Sequence, residues 1–244
     1  MTKDAKKRTS RAEVEEPLRQ STGSGGPPVD AHRVTYAYRN ASSPHPWLDE
    51  YALRAALTVS PRPVDILDLG CGNGAGTRLF VEAGFRVVGC DPEATAVRIA
   101  QREVPDAHFV HLGVYDDASE FGPARFDLVV ATEVVEHLFL PRALPRFARA
   151  VLRPGGHLVL TTPHYGHYLR NLLLSVLDRW DHQFSPLWDG GHVKFWSPRT
   201  MSDLLEEAGF RVLQIEGVNS RGRVFNPIWP NNMVVLAKMG GAAQ

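Results

Sequence analysis

The run DILDLGCGNGAG, Asp65 to Gly76, constrains this chain more than any other stretch. An apolar segment leads straight into Gly70, Gly72, Gly74 and Gly76, and then into a helix-like sequence. Glycine lets a backbone turn tightly and approach a ligand closely, so a strand–glycine turn–helix unit is a nucleotide-binding geometry. The same rhythm continues downstream. Apolar runs at 64–70, 85–91, 107–114, 126–132, 156–163, 210–218 and 232–239 read as strands. Helical spacing is found at 76–84, 93–104, 144–152 and 200–209. Continuous apolar strands alternating with amphipathic helices predict an α/β fold: a mostly parallel, seven-stranded sheet with helices on both faces.

The rest of the chain departs from that rhythm. Residues 1–28 are polar and end in STGSGGPP, a composition that cannot bury a core, so they are expected to be a disordered tail. Residues 29–60 read as a helical lead-in, with LDEYALRAAL at helical spacing and Pro61 and Pro63 ending it. The main domain then spans 61–240. Within it, 164–199 is a long insertion rich in Trp, His and Tyr, placed after the fifth strand. Ligands bind at that end of open α/β sheets, so the insertion is expected to form a lid or substrate wall. The alternative is a helical excursion that packs its own aromatics.

Composition narrows the partners. Lys plus Arg and Asp plus Glu number 27 each, which gives no net charge to attract nucleic acid. Arg170, Arg179, Lys194, Arg199, Arg221 and Arg223 are the residues from which a local basic patch would have to be built. No apolar run approaches the roughly 20 residues that span a bilayer. The basic N-terminus is followed by acids rather than by an apolar signal core. Cys71 and Cys90 lack the spacing of a metal knuckle or disulfide framework, and read as reduced packing residues of a cytoplasmic protein.

Which nucleotide the glycine turn serves is indicated by its surroundings. The second strand ends in Asp91, about twenty residues past Gly70, where an acid can take two ribose hydroxyls. No Gly-Lys-Ser/Thr follows, as a phosphate loop would require. The run D-x-G-C-G-x-G resembles the first motif of class I S-adenosylmethionine-dependent methyltransferases. GVYD (113–116), FDLVVATEVVEHL and LRPGGHLVLTTP resemble later motifs in order, and the resemblance covers Val64 to Met239. It implies a Rossmann-like sheet whose last strand is antiparallel. It also implies S-adenosylmethionine as cofactor: Asp68, Gly70, Cys71 and Gly72 under its amino acid and ribose, Asp91 on the ribose, Val114 and Tyr115 flanking the adenine, and Thr132 and Glu133 beside the sulfonium.

EVVEH, Glu133 to His137, puts three ionisable groups directly after the fourth strand. One reading is structural: Thr132 caps a helix whose N-terminus favours acids. On that helix Glu133, Glu136 and His137 would share a face. The other reading is chemical. The run resembles the E-x-x-E-H of ubiquinone-biosynthesis O-methyltransferases, and also that of small-RNA 2′-O-methyltransferases, where it is associated with a divalent cation. By that resemblance Glu133, Glu136, His137 and a later histidine would hold Mg²⁺ or another divalent cation. His192 in GGHVKFWSP is the candidate fourth ligand; His137 and His192 are the candidate bases. His182 is a rival ligand, and His164 and His167 are candidates to line the pocket. The chain departs from the ubiquinone group at Gly191 and Val193, on either side of His192. The leading expectation is O-methylation of a small hydroxylated acceptor. Methylation of a terminal RNA ribose and a non-catalytic cofactor-binding module are the alternatives.

Overall fold

The structure is a computed structural model that describes residues 43–59, 64–184, 191–227 and 229–240. The expected tail (1–28), the first part of the lead-in (29–42), Pro61, Pro63 and residues 185–190 of the insertion lie outside the described residues.

Seven strands form one sheet: β1 (Asp65–Leu69), β2 (Arg86–Asp91), β3 (His108–His111), β4 (Phe126–Thr132), β5 (Leu152–Pro163), β6 (Phe210–Val218) and β7 (Asn232–Met239). The helices are α1 (Pro46–Val59), α2 (Ala75–Glu82), α3 (Ala94–Glu103), α4 (Ala143–Val151), α5 (Tyr168–Val176) and α6 (Pro198–Glu207). Strand order is β3-β2-β1-β4-β5-β7-β6. The pairings from β3 through β5 are parallel, and β7 runs antiparallel to both β5 and β6. The chain order reverses between β1 and β4, so the carboxyl ends of these two strands flank the crevice where such sheets bind ligands.

Both faces are covered because the strands are apolar on both sides. On one face α1 and α2 pack Leu48, Ala52, Ala56 and Phe80 against Ile66, Leu128, Val130 and Val159. On the other, α4 and α6 pack Leu144, Phe147, Met201 and Leu205 against Leu67, Val129 and Leu158. Burial of this kind contributes roughly 1.5–3 kcal/mol per large apolar side chain. Cys71 and Cys90 are buried free thiols within these layers.

The insertion leaves β5 and returns to α6 with its ends tied together. His164 bridges to Trp196, and Tyr165 N–H donates to the Trp196 carbonyl (2.9 Å). Within it α5 buries Arg170 and Leu174 and turns Tyr168, Leu172, Val176 and Leu177 outward. Ser197 and Thr200 close a capping box at the start of α6. Among the described residues no helix is long and apolar enough to cross a membrane.

Candidate active site

The glycine turn leaves β1 at Gly70, whose φ is +81°. A Cβ there would stand 2.5 Å from Val134 Cγ2, so backbone conformation and close packing both require glycine. Gly72 N–H donates to Asp91 Oδ2 (2.9 Å), and Glu93 N–H donates to Asp91 Oδ1 (2.8 Å). Asp91 is thereby fixed at the carboxyl end of β2. Burial raises its pKa, against the effect of those two N–H groups. Asp68 is also buried, and its Oδ2 accepts from Thr77 Oγ1 (2.6 Å). Burial pushes its carboxyl up to about 7. Val114 is buried beyond β3, while Tyr115 is half-exposed and accepts from Leu140 N–H through its hydroxyl. β3 stops at His111 rather than continuing to Val114, because Gly113 N–H turns to Asp116 Oδ2 (2.7 Å).

The segment after β4 differs from the expected helix. Thr132 is not a cap: it pairs with Thr161 as the last residue of β4. Glu133 N–H still reaches the Thr161 carbonyl (3.2 Å), so the ladder runs one residue too far for a helix to start. Glu133 then takes φ +55°, a left-handed conformation that costs a residue with a Cβ roughly 1–2 kcal/mol. Long-range bonds hold it: Thr161 Oγ1 donates to Oε1 and Asn232 Nδ2 to Oε2, each at 2.9 Å. A single 3₁₀ turn, Val135–His137, follows.

Glu136 on that turn is fully buried. Its Oε2 accepts from Thr162 Oγ1 (3.0 Å), and its Oε1 accepts no N–H or hydroxyl hydrogen bond among the described residues. Burial pushes the Glu136 and Glu133 carboxyls well up, each beside the other. The Glu136 carbonyl accepts from Val193 N–H (2.9 Å) and Lys194 N–H (3.0 Å), which draws the insertion's return over the turn. His192 therefore meets His137, with ring centroids 5.0 Å apart. Ligand atoms of Glu136, His137 and His192 all lie within 4.8 Å of one another. The Glu133 carboxyl is held by Thr161 and Asn232 and lies against the Glu136 carboxyl, outside that three-residue cluster. His192 Nδ1 bonds to the Tyr165 hydroxyl (2.9 Å). Burial, reinforced by His137, lowers His192 to about 4; burial raises Tyr165 to about 12.

The other histidines are engaged elsewhere. His164 Nδ1 accepts from Gly166 N–H, and His167 Nδ1 from Arg170 N–H as the cap of α5. His182 is exposed and lies 3.8 Å from Asp181. Arg170 does not join a surface patch: it is buried, and its guanidinium donates to the carbonyls of His164 and Pro230. Arg179 pairs with Asp181 (3.4 Å).

A family model described as a methyltransferase domain matches residues 38–215. This chain belongs to that family. A ubiquinone biosynthesis O-methyltransferase of Methylobacterium nodulans is 31% identical over 175 residues, covering 69% of this chain and 67% of the relative. Among solved structures, a Pyrococcus horikoshii protein aligns with a TM-score of 0.63 at 18% identity, over 86% of this chain and 98% of that one. An S-adenosylmethionine-dependent methyltransferase from Mesorhizobium loti aligns with a TM-score of 0.57 at 21% identity, over 78% of this chain and 99% of that one.

This methyltransferase takes its methyl group from S-adenosylmethionine, and the chemistry of its crevice suits that donor. β1 and β2 carry Asp68 and Asp91 toward their carboxyl ends, and Glu133 follows directly on β4. Sequence reasoning missed Thr161, Thr162, Tyr165 and Asn232. Only the polar pair at the end of an otherwise apolar β5 hinted at two of them. Tyr165 and Asn232 are joined to the site through contacts that no local spacing reveals.

Proposed function

We propose that this methyltransferase methylates an oxygen of a small hydroxylated acceptor, assisted by a divalent cation held by Glu136, His137 and His192. The observation that carries the reading is the cluster itself: ligand atoms of Glu136, His137 and His192 lie within 4.8 Å of one another, around a fully buried carboxyl whose Oε1 accepts no N–H or hydroxyl hydrogen bond among the described residues. An orphaned buried acceptor is costly, and a cation would satisfy it. Mixed carboxylate and imidazole donors suit Mg²⁺, Mn²⁺ or Zn²⁺. Bound there, such a cation would lower the pKa of an acceptor hydroxyl and template it against the methyl donor. S-adenosylmethionine is assigned to Asp68, Gly70, Cys71 and Gly72 at its amino-acid and ribose end, to Asp91 at the ribose, and to Val114 and Tyr115 at the adenine. Thr132 and Glu133 are assigned to the sulfonium side.

His192 fits a ligand better than a general base. A ring held at about 4 is neutral at pH 7 but a weak proton acceptor there. With Nδ1–H donating to the Tyr165 oxygen, the ring is in the tautomer whose Nε2 can ligate a cation. The insertion supplies a wall suited to a flat acceptor. Tyr165, Phe184 and Phe195 pack with centroids 5.0–6.1 Å apart around the His192 side of the site. O-methylation is also what the M. nodulans relative is named for.

The test is transfer of a labelled methyl group from S-adenosylmethionine to a panel of catechols, phenols and amines, with and without chelator. The reading expects label in a catechol or phenol, lost on chelation and restored by Mg²⁺ or Mn²⁺. Transfer only to amines, or transfer indifferent to chelation, overturns it.

A further inference from the structure

We propose that Asp49, carried by α1, is a cofactor-binding residue that takes the α-ammonium of S-adenosylmethionine. This rests on the assignment of the cofactor's amino-acid end to Asp68 and Gly70.

The buried face of α1 is Leu48, Asp49, Ala52 and Ala56: three apolar residues that pack on the sheet and one acid. Asp49 is only 5% exposed. A carboxyl at such a position is costly without compensation. Its hydrogen-bond partner is Ser43, and burial raises its pKa to about 6. Among the described residues it forms no ion pair with Lys or Arg.

Its position is specific. Asp49 Oδ1 lies 3.2 Å from where a Cβ of Gly76 would stand, over the first turn of α2. Glycine at 76 is what admits it. Thr77, the next residue, donates to Asp68. Both Asp68 and Glu133 feel the Asp49 charge. Asp49 from α1 and Asp68 from β1 thus both reach the first turn of α2, beside the crevice where the chain order reverses. The N-terminus of α2 favours one anion there. Asp49 and Asp68 are buried acids that a bound cation would compensate, and the α-ammonium is the cation this methyltransferase must bind. The lead-in helix then does more than cover a sheet face: it completes the pocket for the donor's amino acid.

The experiment is calorimetric titration of the full chain with three ligands: S-adenosylmethionine, S-adenosylhomocysteine and 5′-methylthioadenosine, which has no amino acid. Asp49→Asn and Gly76→Ala are compared with wild type, with thermal unfolding to verify folding. Loss of a charge-assisted hydrogen bond predicts roughly tenfold or greater weakening for the first two ligands. Affinity for 5′-methylthioadenosine stays at the wild-type value. Unchanged S-adenosylmethionine affinity in Asp49→Asn overturns the proposal. So does an equal fall for all three ligands, which marks Asp49 as a structural peg between α1 and α2. Wild type that fails to bind S-adenosylmethionine overturns the cofactor assignment itself, and this proposal with it.

Discussion

Replacing Asp68 by Asn separates what the carboxylate costs the fold from what it contributes to binding. Burial moves its pKa from 3.8 to about 7. The folded chain therefore holds this proton more tightly than the unfolded chain. Between about pH 4 and 7 the unfolded state has lost the proton and the folded state keeps it, so stability falls as pH rises. The slope is about 1.4 kcal/mol per pH unit, and the total reaches ~4 kcal/mol above pH 7. Asn keeps an oxygen that accepts from Thr77 Oγ1 and carries no charge. Asp68→Asn is thus expected to raise apo stability by ~2–4 kcal/mol at pH 8. The gain should shrink to roughly 1 kcal/mol at pH 5. Urea unfolding at both pH values measures it, and calorimetry should find weaker S-adenosylmethionine binding in the same variant. Equal destabilisation at pH 5 and pH 8 would instead mark the carboxylate as a structural pin for the glycine turn, with no buried-charge penalty to relieve.

Tyr165→Phe removes the hydrogen bond to His192 Nδ1, and is expected to weaken divalent-cation binding by about 10–100-fold while leaving S-adenosylmethionine affinity unchanged. Cation titration followed by calorimetry reads the first effect and cofactor titration the second. Ser197→Ala breaks the capping box of α6 and should cost about 1 kcal/mol in urea unfolding. Because Ser197 follows Trp196, which bridges to His164, the same change should also speed amide exchange at the base of the insertion.

The fold was legible where local pattern and tertiary role agree. FDLVVAT, FRVLQIEGV and NMVVLAKM coincide with β4, β6 and β7 end to end, because their apolar runs are both the local preference and the buried layer. β5 begins at Leu152, earlier than its apolar run, because Leu152 pairs with Phe126 across an irregularity in the β4–β5 ladder. The segment after Thr132 was misread for a related reason. Capping chemistry favoured a helix, but the Thr161 carbonyl, on a different strand, holds Glu133 N–H in the ladder. The site was legible as a list of residue types and not as an arrangement. Glu136, His137 and His192 were nameable from spacing and resemblance. Thr162, Tyr165, Asn232 and Asp49 reach the crevice only through the sheet order and the packing of α1, which no short stretch encodes.

If Glu136, His137 and His192 hold a cation that assists oxygen methylation, activity must follow the cation and depend on Glu136. The most direct measurement is methyl transfer against Mg²⁺ concentration for wild type and Glu136→Gln, at saturating S-adenosylmethionine. Wild type is expected to lose activity on chelation and regain it with Mg²⁺. Glu136→Gln should stay inactive at every Mg²⁺ concentration, yet bind S-adenosylmethionine with wild-type affinity. Chelator-treated wild type that keeps full activity, or Glu136→Gln that keeps a wild-type response to Mg²⁺, contradicts it.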